Sequence, residues 1–194
     1  MKGILTVTLL ILLSVSIQAQ LITFNALKKG VINVAEIEKE LILNGFTKVA
    51  ASPDSNTDTY AYNYDETEEA ASIRVIIAPV IEFENGGLYD ISVLTSGDYI
   101  YDELMEEISE NCTFDRLEVG DVLVYTCDYT TFAVSSEGGK NAITAFPNFK
   151  QLTIDSPVMD GLIELLKESM TEEELEEFIQ AIEEAGEKNQ KSIE

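Results

Sequence analysis

The 194-residue chain has no histidine, no tryptophan, two cysteines, four prolines, and 12 Lys+Arg against 36 Asp+Glu. Each shortage removes a class of chemistry. Without histidine there is no Ser-His-Asp or Cys-His mechanism and no zinc site with imidazole ligands. Without tryptophan, carbohydrate stacking would have to rest on tyrosine. Walker-type phosphate loops, dinucleotide fingerprints and Ser-x-x-Lys are also missing, and Gly86-Gly87 and Gly138-Gly139 read as hairpin turns. The deficit of cations leaves a formal charge of −24. Such a surface repels phosphate backbones and anionic lipid, so nucleic acid and membrane surfaces are poor partners. It suits a basic protein or a divalent ion, and it also keeps an exported protein soluble. With 45% hydrophobic residues the chain is not a disordered acidic tail.

The one long apolar run is N-terminal. "MKGILTVTLLILLSVSIQAQ" has a cation at Lys2, an apolar stretch from Ile4 to Leu13 and a small residue at Ala19. This is the layout of a cleavable secretory signal over residues 1–19, ending at Ala19–Gln20, although Ile17 is large for its position. An uncleaved anchor helix is the competing reading. No cysteine follows that could carry a lipid. The expectation is a soluble mature chain of about 175 residues, periplasmic or extracellular, enough for one core or two small modules.

Within it, Asn33 reads as a helix cap with Glu36 three residues on, and Val34, Ile37 and Leu41 recur at helical spacing until Asn44-Gly45. Four strands in hairpin succession follow, over 46–50, 59–64, 72–83 and 88–96, with Pro79 implying an edge or a bulge in the third. The pattern then restarts. Asp98 reads as the cap of a second helix, and Tyr101, Leu104 and Ile108 stand 67 residues after Val34, Ile37 and Leu41. Strands are expected at about 113–118, 121–129, 131–136 and 141–146. The reading is α+β: two tandem helix-plus-four-strand copies (20–97 and 98–150) forming antiparallel sheet with helices on one face. A C-terminal acidic helical pair (151–186) and a frayed tail (187–194) complete it. In that pair, Ser156-Pro157 starts a stripe of Met159, Leu162, Ile163 and Leu166. Thr171 and Glu174 form a capping box before Leu175, Phe178, Ile179 and Ile182. The pair either packs on the sheet or protrudes as an acidic arm.

"NCTFDRLEVGDVLVYTC" holds both cysteines. With Val119-Gly120 as a two-residue turn, Glu118 faces Asp121, Leu117 faces Val122, Asp115 faces Val124, Phe114 faces Tyr125 and Cys112 faces Cys127. Side-chain alternation then puts Cys112, Phe114, Tyr125 and Cys127 on one face, so Cys112 and Cys127 are expected to form a structural disulfide. The spacing is not Cys-x-x-Cys and nothing nearby lowers a thiol pKa, which argues against redox work.

Three further features carry weaker chemistry. In "PDSNTDTY", Asp54, Asn56 and Asp58 occupy positions 1, 3 and 5 of a calcium-loop pattern and Asp65 the twelfth, but Thr59 replaces the turn glycine and a strand follows. Glu82 with Glu84, and Asp102 with Glu106, are carboxylate pairs of the kind a glycosidase needs, and such pairs arise by chance in an acidic chain. Tyr60, Tyr62 and Tyr64 share one strand face, either as the half-buried side of a sheet or as an exposed binding stripe.

The helix ending in "NGF", the tyrosine-rich strands and the second helix-plus-strands copy resemble small secreted proteins of Bacteroidota-type bacteria, mostly of unknown function. In layout, over about 24–150, the tandem arrangement is similar to the beta-lactamase-inhibitor-protein type of fold. That resemblance implies protein binding and carries no residue role with it. The functional expectation is a non-enzymatic exported module binding a protein or envelope component through its sheet face or acidic helices. The alternatives are a calcium-stabilised structural protein, an envelope enzyme using a carboxylate pair, and an inhibitor of a basic partner.

Overall fold

Alternating apolar and polar residues, punctuated by glycine and Asx turns, build one antiparallel sheet. The computed structural model describes residues 20–49, 56–68, 70–83, 86–149, 159, 163, 164, 166, 167 and 170–191. Helices α1 (Phe24–Gly30) and α2 (Val34–Leu43) precede strands β1 (Thr47–Val49), β2 (Asp58–Tyr62), β3 (Ile73–Phe83) and β4 (Gly86–Thr95). Helix α3 (Asp98–Asn111) then leads into β5 (Thr113–Glu118), β6 (Val122–Cys127), β7 (Thr130–Glu137) and β8 (Lys140–Pro147), and α4 (Glu172–Lys191) follows. All eight strands join one sheet in the order β1-β2-β3-β4-β8-β7-β6-β5, so β4 and β8 lie at its centre. The class is α+β, and among the described residues no helix is long and apolar enough to cross a membrane.

Local chemistry explains the element ends. After α2, the Phe46 N–H donates to Leu41 O at 3.0 Å and the Gly45 N–H to Ile42 O at 3.2 Å. Gly45 has φ +85°, so these two bonds make a Schellman ending in which Phe46 folds back over Leu41. Asn33 precedes α2 as expected but makes no side-chain cap bond. Gly138 and Gly139, both at positive φ, form the two-residue turn that pairs Glu137 with Lys140. Pro79, which lacks an N–H, coincides with a register shift between Pro79 and Ile81.

The β5–β6 turn differs from expectation. Glu118 faces Val122 and Leu117 faces Leu123, so three residues, Val119 to Asp121, make the turn, with Gly120 and Asp121 both at positive φ. An irregularity between Phe114 and Arg116 then takes up one residue, which restores Phe114 opposite Tyr125.

One continuous core gathers Ile73, Val75 and Ile77 of β3, Ile91 and Val93 of β4, Ile143 and Ala145 of β8, and Phe132 and Val134 of β7 with apolar residues of the helices. In α3 the buried stripe is Ile100, Leu104 and Ile108, with Tyr101 only half-buried, and Gly97 rather than Asp98 is the cap. Asp98 instead accepts a hydrogen bond from the buried Asn141 Nδ2 at 3.2 Å, docking the start of α3 onto β8.

At the C-terminus the capping box forms. The Thr171 N–H donates to Glu174 Oε2 at 2.7 Å and the Glu174 N–H to Thr171 Oγ1 at 3.3 Å. Met159, Leu166, Met170, Phe178 and Ile182 are buried in the same core as the sheet, while Ser156, Pro157 and Leu162 lie outside the described residues. Helix α4 runs to Lys191, past Gly186. Glu, Lys and Gln keep good helical propensity even where no apolar face remains.

Helix α1 has no counterpart among the expected elements. Thr23 Oγ1 caps it by accepting from the Ala26 N–H, and Ile22, Phe24, Leu27 and Val31 all enter the core. Gly30 makes the close approach possible, because a Cβ there would sit 2.6 Å from Ile91 Cδ1 and 2.8 Å from Ile37 Cγ2. Two carboxylates hold its start. Glu40 of α2 accepts from the Thr23 N–H at 2.7 Å and from Thr23 Oγ1 at 3.1 Å. Glu107 of α3 accepts from the Phe24 N–H at 3.2 Å.

Candidate functional site

The cysteines first: Cys112 and Cys127 are joined as a disulfide. Cys127 is 5% exposed and packs in the core, whereas the Phe114 ring, edge-on to Tyr125 at 5.6 Å, is 51% exposed. The cross-strand group is therefore buried on its β6 side and open on its β5 side.

The calcium-loop pattern does not come together. Asp54 lies outside the described residues and Asn56 is exposed. Asp58 pairs with Lys48 at 2.7 Å. Asp65 Oδ1 accepts from the Thr67 hydroxyl at 2.6 Å and the Thr67 N–H at 2.8 Å, which together hold its carboxyl below the usual range. Between them β2 runs extended from Asp58 to Tyr62. At roughly 3.3 Å per residue that is about 13 Å of strand before the turn at Asp65 begins. Ligands of one calcium ion lie on a sphere of about 2.5 Å radius, so Asp58 and Asp65 cannot share it. Among the described residues no group of three or more acidic or cysteine side chains is placed to hold a metal. Glu84 lies outside the described residues, as does the side chain of Glu82, and Asp102 and Glu106 point to solvent along α3.

The tyrosines are not an exposed stripe. Tyr60 is 2% exposed, and its hydroxyl donates to Glu38 Oε1 at 2.5 Å. Burial first, then the bond to Glu38, raise its pKa far above the ordinary phenol range. Lys48 stands 5.7 Å from the ring centroid. Tyr62 packs on Phe46, with ring centroids 5.3 Å apart, and both Tyr62 and Tyr64 are half-buried. Tyr60 is thus an anchor between β2 and α2, on the side of the sheet that the core occupies.

The other side of the sheet is different. Along β3, β4, β8 and β7 the alternate residues Ile76, Ala78, Asp90, Ser92, Ala142, Thr144, Phe146 and Ala133 are half-buried, and Leu94 is 38% exposed. None belongs to the core cluster that contains the helical side chains. Ser92 and Thr144 hydrogen-bond across the central strand pair at 3.0 Å. Next to them sits Asp90, opposite Ala78 on β3 and one residue beyond the last β4–β8 pair, Ile91–Ala145. Among the described residues the Asp90 side chain makes no hydrogen bond or ion pair, and burial raises its carboxyl pKa above the usual range. Aspartate is disfavoured within strands. A lone Asp in the centre of "LYDISVLTS" was the sequence signal for this position.

A raised acid pKa means that the folded state favours the protonated form. Stability therefore falls as pH rises from the unfolded aspartate value through that of Asp90, and the deficit persists above it. Asp90→Asn, which keeps the shape and removes the charge, will raise the thermal midpoint at pH 7. The gain will shrink toward zero as the wild-type carboxyl protonates. Thermal scans of both proteins across the acid range check this, and a lower midpoint for the variant at pH 7 would contradict it.

The chain matches no protein-family model, no curated protein and no solved structure.

Proposed function

We propose that the mature chain is an exported, non-enzymatic module that binds a protein partner through the side of its sheet turned away from the core. The observation that carries this reading is that this side keeps Ile76, Leu94, Ala133, Ala142 and Phe146 only part-covered among the described residues. An apolar patch interrupted by hydroxyls, in the middle of an eight-stranded sheet, fits the make-up of protein-binding surfaces. Export is supported by the apolar leader and by the Cys112–Cys127 disulfide, which persists in oxidising compartments. The formal charge of −24 favours a basic partner.

The same reading takes the domain as two tandem copies with their helices on the core side. The strand order, in which the second set of four mirrors the first, supports this. So does the 67-residue spacing of Glu40 and Glu107, the two carboxylates that meet at Thr23 and Phe24.

The test uses the mature chain as bait against envelope extract of its own source, at low and high salt. Two variants are run beside it. Ala133→Arg places bulk and positive charge on the part-covered side. Glu176→Gln/Glu183→Gln/Glu184→Gln neutralises exposed α4 carboxylates. The expected result is a single stoichiometric partner, weakened by salt, kept by the α4 variant and lost with Ala133→Arg. Loss only with the α4 variant would move the binding surface to the acidic helix.

A further inference from the structure

We infer that the centre of this part-covered sheet side is a receptor for an arginine side chain of the partner, with Asp90 as its counter-charge. This rests on the binding-module reading above and names what that surface takes. Asp90 lies on β4, one of the two central strands, with Ala78 opposite on β3, Ile76 and Ser92 close by, and Phe146 on β8 one residue beyond the last β4–β8 pair, Ile91–Ala145. Its side chain is half-buried and has neither a hydrogen bond nor an ion pair among the described residues. A carboxylate that has lost part of its water and gained no partner is a standing cost to the fold. Other acids of this chain do find a cation, Asp128 with Lys28 at 2.5 Å and Asp58 with Lys48 at 2.7 Å.

A guanidinium answers the chemistry. Its two parallel N–H groups match both carboxylate oxygens, and its planar face can stack on a neighbouring aromatic ring, here Phe146. Its alkyl stem would lie over Ile76 and Ala78, so the apolar surroundings that make Asp90 costly alone become the wall of a subsite. A central, desolvated charged contact ringed by weaker ones is how interface energy is usually concentrated.

The experiment is a titration of the isotopically labelled mature chain with n-butylguanidinium chloride, followed by amide chemical shifts, with n-butylammonium chloride as comparison. The expected result is saturable shifts confined to Ile76, Ala78, Asp90, Ser92 and Phe146, stronger for the guanidinium. In Asp90→Asn, whose spectrum must otherwise overlay the wild type, the affinity falls about tenfold or more, as expected when one member of a close charge pair is removed. Shifts that follow the exposed glutamates of α4 and persist in Asp90→Asn overturn the inference, and so does equal response to the ammonium probe. If the probe ignores Asp90 while partner capture still fails with Ala133→Arg, the receptor falls and the binding surface stands. If capture is indifferent to Ala133→Arg, the surface itself falls.

Discussion

A mature chain shortened to begin at Asn33 will show no cooperative thermal transition. The deleted stretch carries Ile22, Phe24, Leu27 and Val31, all within the core, and Phe24 stacks on Phe132 with ring centroids 5.4 Å apart. Burying each such side chain stabilises by about 1.5–3 kcal/mol, so the four together contribute on the order of 6–12 kcal/mol. A domain of this size has about 5–15 kcal/mol in all. The hydrogen bonds point the same way: Glu40 and Glu107 receive the start of α1, and Val31 O accepts from the Tyr89 N–H at 2.9 Å. The point variant Phe24→Ala will remain folded but lose about 3–5 kcal/mol, the usual cost of a large aromatic truncated in a core. Circular-dichroism melts of both proteins decide the matter. A cooperative melt in the shortened chain, within a few degrees of the full one, would mean that this segment is an appendage.

That segment also shows where the sequence could and could not be read. The strands were legible because their alternation and their turn residues agree: Ile73, Val75 and Ile77 against Arg74, Ile76 and Ala78, closed by Gly138-Gly139 or broken at Pro79. The longer helices were legible from their apolar spacing and from Thr171 with Glu174. Helix α1 was not. Its seven residues are too few to display a period, and its two lysines look like a solvent face. One of them, Lys28, instead pairs with Asp128 and lies 5.5 Å from the ring centre of Tyr129.

The candidate sites failed to be legible for a related reason. Alternation tells which residues share a side of a strand but not which side the helices cover. Tyr60 and Tyr62 share a side with Val75 and Ile73, the side the core occupies, while Tyr64 lies past the end of β2, after Asn63 at positive φ. Asp90 is on the opposite one, where nothing in its immediate neighbours announces a role. Its interest arises only when β8 arrives from 50 residues downstream and pairs with β4 as far as Ile91–Ala145, next to Asp90, a pairing that no local pattern encodes.

Replacing both Cys112 and Cys127 with alanine will lower the thermal midpoint by about 6–12 °C, and the damage will centre on β5. The bond closes a loop of sequence separation 15. In the chain-entropy account a loop of that size restrains the unfolded chain by about 3 kcal/mol, and each kcal/mol moves the midpoint of a domain this large by about 2–4 °C. A second effect acts on the folded state. Every residue of β5 is exposed and the strand sits at the sheet's edge, paired with β6 alone. Its register is already interrupted between Phe114 and Arg116. The ion pairs of Arg116 with Asp115 and Glu118 lie within the same strand and cannot fasten it to a neighbour. Without the disulfide, β5 is therefore the element that opens locally at least cost. Hydrogen exchange separates the two contributions. A midpoint shift with uniform loss of protection would assign the bond's effect to the unfolded chain. Fast exchange at Val124 and Thr126, the β6 amides on the β5 side, beside unchanged protection in β4 and β8, would assign it to the edge. An unchanged midpoint would show that the hairpin holds its shape without the bond.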